Sequence, residues 1–306
     1  MEYQEAKSME KQKIQQLLEH GYQTPVYLGQ GAESQAWRVW NESLHAFAVC
    51  KICPADKQAE RERMLLKSLQ HPVFPRYIEA WTGADCSFLV MEYVPGSTLR
   101  EMICRRGRFA WKQAVHVGIE LAEGLLFLHE RSQPILFRDM KPDNVIIRQD
   151  GRVKLIDVGC ACYEGEQLSM AGSRGYSAPE QFIPATALSV ESDVYALGKL
   201  LVFMLTGQEE GLPDEGRDNK ESNRMGRRKR EKHIWKGVPY GLRSLVEKAA
   251  RGERRERLPD MRSFLQQLAI YNGVHPLKRL CTDWRARIRH GEKEEFYYIQ
   301  NVRRGM

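Results

Sequence analysis

The sequence lacks a long uninterrupted apolar segment. Its most apolar helix-like run, residues 194–206, is short and is interrupted by Lys199, whereas a membrane-spanning helix needs about 20 predominantly apolar residues. Residues 1–18 are charged throughout and have no apolar core of the kind that a signal peptide carries. We therefore expect a soluble chain with no membrane span.

The sequence also lacks a disulfide framework. It has seven cysteines, an odd number, with no regular spacing. Cys160 and Cys162 are separated by a single residue, which is too close for the usual paired ligands of a zinc site. We interpret the thiols as reduced and predict a cytoplasmic protein. For Cys160 and Cys162, inert thiols are favoured over a redox switch.

The composition excludes extensive disorder, since 42% of the 306 residues are hydrophobic and 28% are charged. The net charge of +7 favours acidic partners. It does not choose between nucleotides, phosphates and anionic surfaces. Residues 227–230 are a basic run inside a polar segment, and we favour a solvated charge run there over a nucleic-acid-binding patch.

The chain changes in character near residue 95. Before it, residues 28–40 and 45–53 are punctuated by glycine or rich in β-branched and aromatic residues, as hairpin strands are. After it, residues 111–130 and 190–207 repeat apolar residues at helical spacing. The pattern predicts an α+β fold with a small β-rich lobe and a larger helical lobe. The predicted parts are an N-terminal helical extension (1–21), a domain (22–271) with lobes 22–94 and 95–271, a polar basic insert (208–233) and a basic tail (272–306).

Two short segments carry the residues that suggest a reaction, FRDMKPDN at 137–144 and LIDVG at 155–159. Phosphoryl transfer needs an acceptor hydroxyl held in line, metal ions on the phosphates, and cations that absorb developing charge. The segments supply a carboxylate, a cation and two oxygen ligands suited to Mg²⁺. These residues are Asp139, Lys141, Asn144 and Asp157.

The two segments resemble those of the eukaryotic-like (Hanks-type) serine/threonine protein kinase family, and we interpret the chain as a bacterial member. The resemblance implies a bilobal protein-kinase-like fold and transfer of the ATP γ-phosphate to protein hydroxyls, with autophosphorylation. It implies that Asp139 orients the acceptor hydroxyl and accepts its proton. It also implies that Asn144 and Asp157 hold Mg²⁺ or Mn²⁺. Lys141, in an RDxKxxN arrangement, indicates the serine/threonine type.

The same resemblance assigns an ATP site. Lys51 in AVCK corresponds to the strand lysine that contacts the phosphates, and an unpaired charge inside an apolar strand would be costly. Its expected partner is Glu62, with Glu60 as the alternative. Residues 28–34 resemble a glycine-rich phosphate-binding loop. The ATP-binding residues implied are Leu28, Gly29, Gly31, Ala36, Val49, Lys51, Glu62, Met91, Glu92, Val94 and Ile146.

Residues 172–180, GSRGYSAPE, resemble the end of a kinase activation segment. The resemblance implies that Ser173 bonds to Asp139 and Lys141, that Glu180 pairs with Arg257, and that Asp193 anchors the catalytic loop. It makes Arg138 the residue that senses a phosphate on this segment. Ser169 is our predicted phosphorylation site, against the alternative of an ordinary loop serine.

Three of the departures from the family pattern bear on whether the chain is active. Ser34 replaces the third glycine of the loop, Phe137 replaces histidine, and Val158 replaces phenylalanine. These departures leave open a pseudokinase that acts as a scaffold or ATP-binding regulatory module. A small-molecule phosphotransferase is a second alternative, but residues 172–180 favour protein substrates. We expect protein substrates and no nucleic-acid partner, and the sequence does not determine the oligomeric state.

Overall fold

The structure is a computed structural model that describes residues 2–31, 33–166, 171–209 and 233–272, with side chains from residue 11 onward. Ser169, nearly all of the predicted insert and the tail after residue 272 lie outside the described residues. The chain divides into two compact units. Unit 1 comprises residues 1–69 and 75–95, and unit 2 comprises residues 70–74 and everything from residue 96.

Unit 1 is a five-stranded antiparallel sheet with two helices. The strands lie in the order β1-β2-β3-β5-β4. The elements are α1 (Glu2–Glu19), β1 (Tyr22–Gln30), β2 (Gln35–Asn41), β3 (Ala46–Pro54), α2 (Lys57–Ser68), β4 (Tyr77–Thr82) and β5 (Cys86–Glu92).

The two faces of this sheet have different partners, because side chains alternate along each strand. On one face, the α1 residue Leu17 is fully buried in the main apolar cluster. The cluster members are Leu17, Tyr22, Trp37, Val39, Ala48, Cys50, Ile52, Phe88 and Val90. Lys51 points to the opposite face, where it meets α2. Leu17, near the end of the predicted helical extension, is therefore part of the core of unit 1.

Helix α2 is defined at its start by Asp56, whose side chain accepts a hydrogen bond from the Ala59 N–H at 2.8 Å. Such a cap satisfies one of the four backbone donors that a helix leaves open at its first turn. Leu65 and Leu66 are buried, while Met64 is 63% exposed. The apolar face of α2 thus fixes the rotation of the helix about its axis, which decides where Glu62 points.

Unit 2 is built mainly of helices around a long central one. Helix α4 contacts α5 and α7, and α5 also contacts α6 and α7. Ten residues of α4 and thirteen residues of α5 are buried. This agrees with the apolar periodicity of the sequence. The helices are α3 (Leu99–Arg106), α4 (Trp111–His129), α5 (Val190–Thr206), α6 (Tyr240–Ala249) and α7 (Met261–Tyr271).

Short strands in unit 2 carry the catalytic segments. Strand β7 pairs with β10, and β8 pairs with both β6 and β9. Their bounds are β6 (Ser97–Thr98), β7 (Ile135–Leu136), β8 (Val145–Ile147), β9 (Val153–Leu155) and β10 (Cys162–Tyr163). Single 3₁₀ turns lie at Pro142–Asn144, Pro179–Phe182 and Arg254–Glu256.

A β-rich N-terminal unit followed by a larger helical unit confirms the α+β organisation predicted from the sequence. The boundaries predicted for the extension, insert and tail stay predictions. Across the described parts of the chain, no helix has both the length and the apolar character needed to cross a bilayer.

Candidate active site

The chain turns sharply just before Asp139. Arg138 has a φ of 69°, and the Asp139 N–H donates to the Phe137 carbonyl at 2.9 Å. A hydrogen bond from residue i+2 to residue i around a positive φ is the rare and strained form of γ-turn. We call residues 137–139 the catalytic turn. A non-glycine residue holds such a conformation only when its surroundings enforce it.

Asp193 holds the catalytic turn from its N–H side. This fully buried side chain of α5 accepts the Phe137 N–H at 2.8 Å and the Arg138 N–H at 2.9 Å. It also lies 2.8 Å from Nε2 of His129, a residue that the sequence analysis missed. Helix α4 carries several other polar side chains, so nothing in the sequence singled out His129. His129 links the end of that helix to the anchor of the turn.

Three predicted residues meet around the Asp139 carboxylate. Ser173 donates from Oγ to Oδ1 at 2.7 Å, and Lys141 Nζ lies 2.7 Å from Oδ2. The Asn144 amide nitrogen lies 2.9 Å from the Asp139 carbonyl and 3.2 Å from Oδ2. The Asp139 side chain is therefore oriented by three separate donors. The predicted bond from Ser173 to Asp139 is present in the structure, whereas Ser173 and Lys141, both among the described residues, are not bonded to each other.

The local charges favour a cationic Lys141 and a protonated Cys160. Burial by itself would lower the pKa of Lys141, but the hydrogen bond and charge of Asp139 outweigh it, so the pKa is raised. Burial, together with the charges of Asp139 and Asp157, raises the pKa of Cys160 to about 11. A protonated thiol is a poor nucleophile at neutral pH. This supports the interpretation of Cys160 as inert.

Asn144 and Asp157 offer oxygen atoms for a divalent cation. The Ile156 N–H donates to the Asn144 carbonyl at 2.9 Å, which ties their segments together. Since the Asn144 amide nitrogen donates to Asp139, its Oδ1 is the atom that could ligate a metal. Within the described ranges, no three His, Cys, Asp or Glu residues form a metal cluster. Two oxygen ligands plus substrate phosphates are the usual setting for Mg²⁺, so these residues fit that ion.

In unit 1, Lys51 and Glu62 form a close ion pair. Lys51 Nζ lies 2.7 Å and 2.9 Å from the two carboxylate oxygens of Glu62. The two side chains are 16% and 6% exposed, so the pair is largely shielded from water. Glu60, the alternative partner, contacts Arg63 instead. The structure therefore brings together the pair that was predicted first.

Several predicted ATP-binding residues share the Lys51 face of the sheet. Ala36 lies opposite Lys51, and Met91 lies opposite Val49, in the strand register. Ala36 and Val49 are thus diagonal neighbours on one face, close enough for their sizes to be linked. The remaining predicted residues of this unit are Leu28, which is 49% exposed, Val94, which is 5% exposed, and Glu92, whose N–H donates to the Arg76 carbonyl.

The glycine-rich loop is closed by its own backbone. The Gly31 N–H donates to the Ser34 carbonyl at 2.7 Å. At Gly29, an added Cβ would meet no other atom within 4 Å, so this glycine is not required by packing within unit 1. Ser34 occupies the position of the missing third glycine and remains compatible with the turn. Ile146, the predicted ATP-binding residue of unit 2, lies in β8.

Glu180 and Arg257 form a buried ion pair, as predicted. Arg257 donates to both carboxylate oxygens of Glu180, at 2.6 Å and 2.8 Å. Ser192 donates to the same carboxylate at 2.8 Å. Burial by itself would raise the pKa of Glu180, but the hydrogen bonds and charge of Arg257 outweigh it and lower the pKa. The pair ties the end of the activation segment to the helical core of unit 2.

A family model described as protein kinase domain matches residues 22–269. The chain belongs to this family. A probable serine/threonine-protein kinase of Clostridium perfringens is 28% identical over 207 residues, which cover 63% of the chain and 30% of the relative. A serine/threonine-protein kinase of Arabidopsis thaliana is 35% identical over 156 residues, covering 48% and 31%. A second from the same plant is 28% identical over 213 residues, covering 68% and 46%.

The kinase domain therefore corresponds to a third to a half of the length of these relatives.

Two of its departures from the family pattern lie in well-packed positions. Phe137 is fully buried and Val158 is 3% exposed. Neither of these substitutions removes one of the polar groups that meet around Asp139. Arg138, the predicted phosphate sensor, is 2% exposed and donates to the Cys160 carbonyl at 3.4 Å.

Proposed function

We propose that this kinase-family chain is an ATP- and Mg²⁺-dependent protein serine/threonine kinase that acts on protein substrates. The observation that carries the proposal is the cluster around Asp139, in which Ser173, Lys141 and Asn144 all donate to one carboxylate residue. A general base must be held within reach of the proton that it accepts. A carboxylate this constrained suits that task.

In the proposed reaction, Asp139 orients the acceptor hydroxyl and accepts its proton as the hydroxyl oxygen bonds to the γ-phosphorus of ATP, while the bond from that phosphorus to the bridging oxygen breaks and ADP leaves. Lys141, kept cationic by its neighbour, absorbs charge on the transferred group. Asn144 and Asp157 would hold the divalent cation, which supplies charge neutralisation on the phosphates when it is bound. Oxygen donors of this kind suit both Mg²⁺ and Mn²⁺.

ATP is the proposed phosphate donor. Lys51, positioned by Glu62, would contact the phosphates, and the backbone of residues 28–31 would cover them. Ala36, Val49 and Met91 of unit 1 would contact the adenine, and Ile146 stays a predicted ATP-binding residue. The backbone of residues 92–94 would bond to its edge.

The finer proposals concern regulation and location. We keep Ser169 as the site of autophosphorylation and Arg138 as the residue that responds to it. We also keep a cytoplasmic location. Its support is the six cysteines within the described residues, all of which are free thiols.

The test is transfer of labelled phosphate from Mg²⁺·ATP to a generic acceptor protein by wild type, Asp139→Asn and Asp143→Asn, with mapping of the modified residues. Asp143 is the matched control, since its side chain is 45% exposed in the same loop and contacts Arg100 instead. We expect phosphoserine or phosphothreonine from wild type and Asp143→Asn, and none from Asp139→Asn. A folded wild type that binds ATP but transfers nothing would favour an ATP-binding regulatory module.

A further inference from the structure

The carbonyl side of the catalytic turn has its own support. The Arg138 carbonyl accepts the Gln181 amide at 2.9 Å and the Ser177 hydroxyl at 3.2 Å. On the other side of this turn, Asp193 accepts hydrogen bonds from the Phe137 and Arg138 N–H groups. The strained conformation before Asp139 is therefore held from both sides, and the second side consists of Ser177, at the end of the activation segment, and Gln181, directly after it.

Gln181 uses its whole side-chain amide for this purpose. Its nitrogen donates to the carbonyls of Arg138 and Ala171, both at 2.9 Å. Its oxygen accepts the Ala178 N–H at 3.2 Å. Only a primary amide side chain carries two N–H donors on one atom and an acceptor oxygen on the same carbon. Since two carbonyls and one N–H surround the Gln181 amide, only one orientation of the amide forms all three hydrogen bonds.

The backbone near Ala171 comes unusually close to this group. Gly172 has a φ of 128°, and an added Cβ would overlap Ser177 Oγ and lie 2.9 Å from the Gln181 nitrogen. Ser177 also accepts the Ser173 N–H at 2.8 Å. Gln181 is 3% exposed, so losing its hydrogen bonds would leave buried carbonyls without compensation from water. The site thus joins the activation segment to the catalytic turn.

We propose that Gln181 is a positioning residue, whose amide holds the catalytic turn and thereby the direction of the Asp139 carboxylate. The catalytic consequence rests on the proposed function. Gln181 itself contacts no reacting group. Its removal lets the turn relax, and a small displacement of a catalytic group lowers the rate of the chemical step strongly.

The test uses the full chain with Gln181→Met, which keeps the length of the side chain and removes its polar atoms. Gln181→Glu, of the same size, replaces it if the first variant does not fold. Thr206→Val is the matched control. Thr206 is also buried and also bonds to backbone, donating to the Val202 carbonyl and accepting the Gln208 N–H, but it lies at the far end of α5.

Two readouts separate positioning from general destabilisation. Hydrogen exchange of the Arg138 and Asp139 amides should accelerate at least about tenfold in Gln181→Met relative to core amides of α4, and not in Thr206→Val. In phosphate transfer, kcat should fall about 10- to 100-fold, while KM for ATP stays within about twofold.

The outcomes are distinguishable. Unchanged exchange at Arg138 and Asp139 overturns the inference whatever the activity is. Faster exchange with wild-type kcat overturns the positioning role. If wild type itself transfers no phosphate, the proposed function is wrong, and the exchange measurement still decides whether Gln181 holds the turn.

Discussion

Replacing Glu180 with glutamine removes a charge from a buried ion pair of unit 2. The Arg257 side chain is fully buried and that of Glu180 is 10% exposed. Arg257 also donates to the carbonyls of Arg251, Gly252 and Glu191 and stacks on Tyr195. After Glu180→Gln, these contacts keep the guanidinium in place, and its charge loses the carboxylate that it pairs with.

The cost follows from that geometry. Breaking a buried pair by removing one partner costs about 3–5 kcal/mol, because the other charge stays buried. The carbonyl partners of Arg257 and the polar amide of the new glutamine favour the lower end, about 3 kcal/mol. For a domain of this size, 1 kcal/mol shifts Tm by about 2–4 °C, so we expect a decrease of about 6–12 °C.

The pH dependence has a definite sign. The pKa of Glu180 is lowered in the folded chain, whereas in the unfolded chain it is about 4.3. The contribution of the pair is therefore complete above the unfolded pKa and is lost as the pH falls through the folded value. The difference between wild type and Glu180→Gln should be constant from pH 7 to about pH 5 and shrink below that.

Urea unfolding of both proteins between pH 3.5 and 7 measures this difference. Glu247→Gln is the control, because Arg243 and Glu247 form a pair of similar length, 2.8 Å, whose side chains are 27% and 26% exposed. That pair should contribute only about 0.3–0.5 kcal/mol. A loss of under 1 kcal/mol for Glu180→Gln, or a difference that does not shrink in acid, would refute the reasoning.

Three further predictions concern unit 1 and the thiols. Ala36→Val should weaken ATP binding by crowding a shared face, and adding Val49→Ala should restore it; equal affinity of the single variant and wild type, by calorimetry, would contradict this. Leu17→Ala should lower the free energy of unfolding by about 2–5 kcal/mol, whereas Leu18→Ala, at a position 46% exposed, should lower it little. Equal effects of the two variants in thermal unfolding would show that α1 does not pack in the core. Cys160, with a pKa of about 11, should be alkylated at pH 7.5 far more slowly in folded than in denatured protein; equal rates would show a reactive thiol.

The sequence by itself determined the candidate catalytic residues and the class of fold. Asp139, Lys141 and Asn144 lie within one short segment. A tight turn followed by a short strand places the side chains of such neighbours close to one another. The helices of unit 2 were equally visible, because burial on one side of a helix repeats with the helical period. Both features depend on residues that are close together in the sequence, so they can be recognised without the tertiary structure.

The choice between Glu62 and Glu60 needed the structure. Both lie on α2, and only the rotation of that helix, set by burial of Leu65 and Leu66, directs one of them at Lys51. The role of α1 was missed for a similar reason. Its sequence is polar enough for an exposed helix, and Leu17 becomes a core residue only because one face of the sheet lies beneath it.

His129 and Gln181 were also decided by the tertiary structure alone. Each bonds to a partner far away in the chain, Asp193 in one case and the Arg138 carbonyl in the other. A histidine at a helix end and a glutamine after a turn are ordinary in a sequence, and neither disturbs a periodic pattern. Their importance comes from the strained turn before Asp139, since a strained backbone persists only where distant groups meet to hold it.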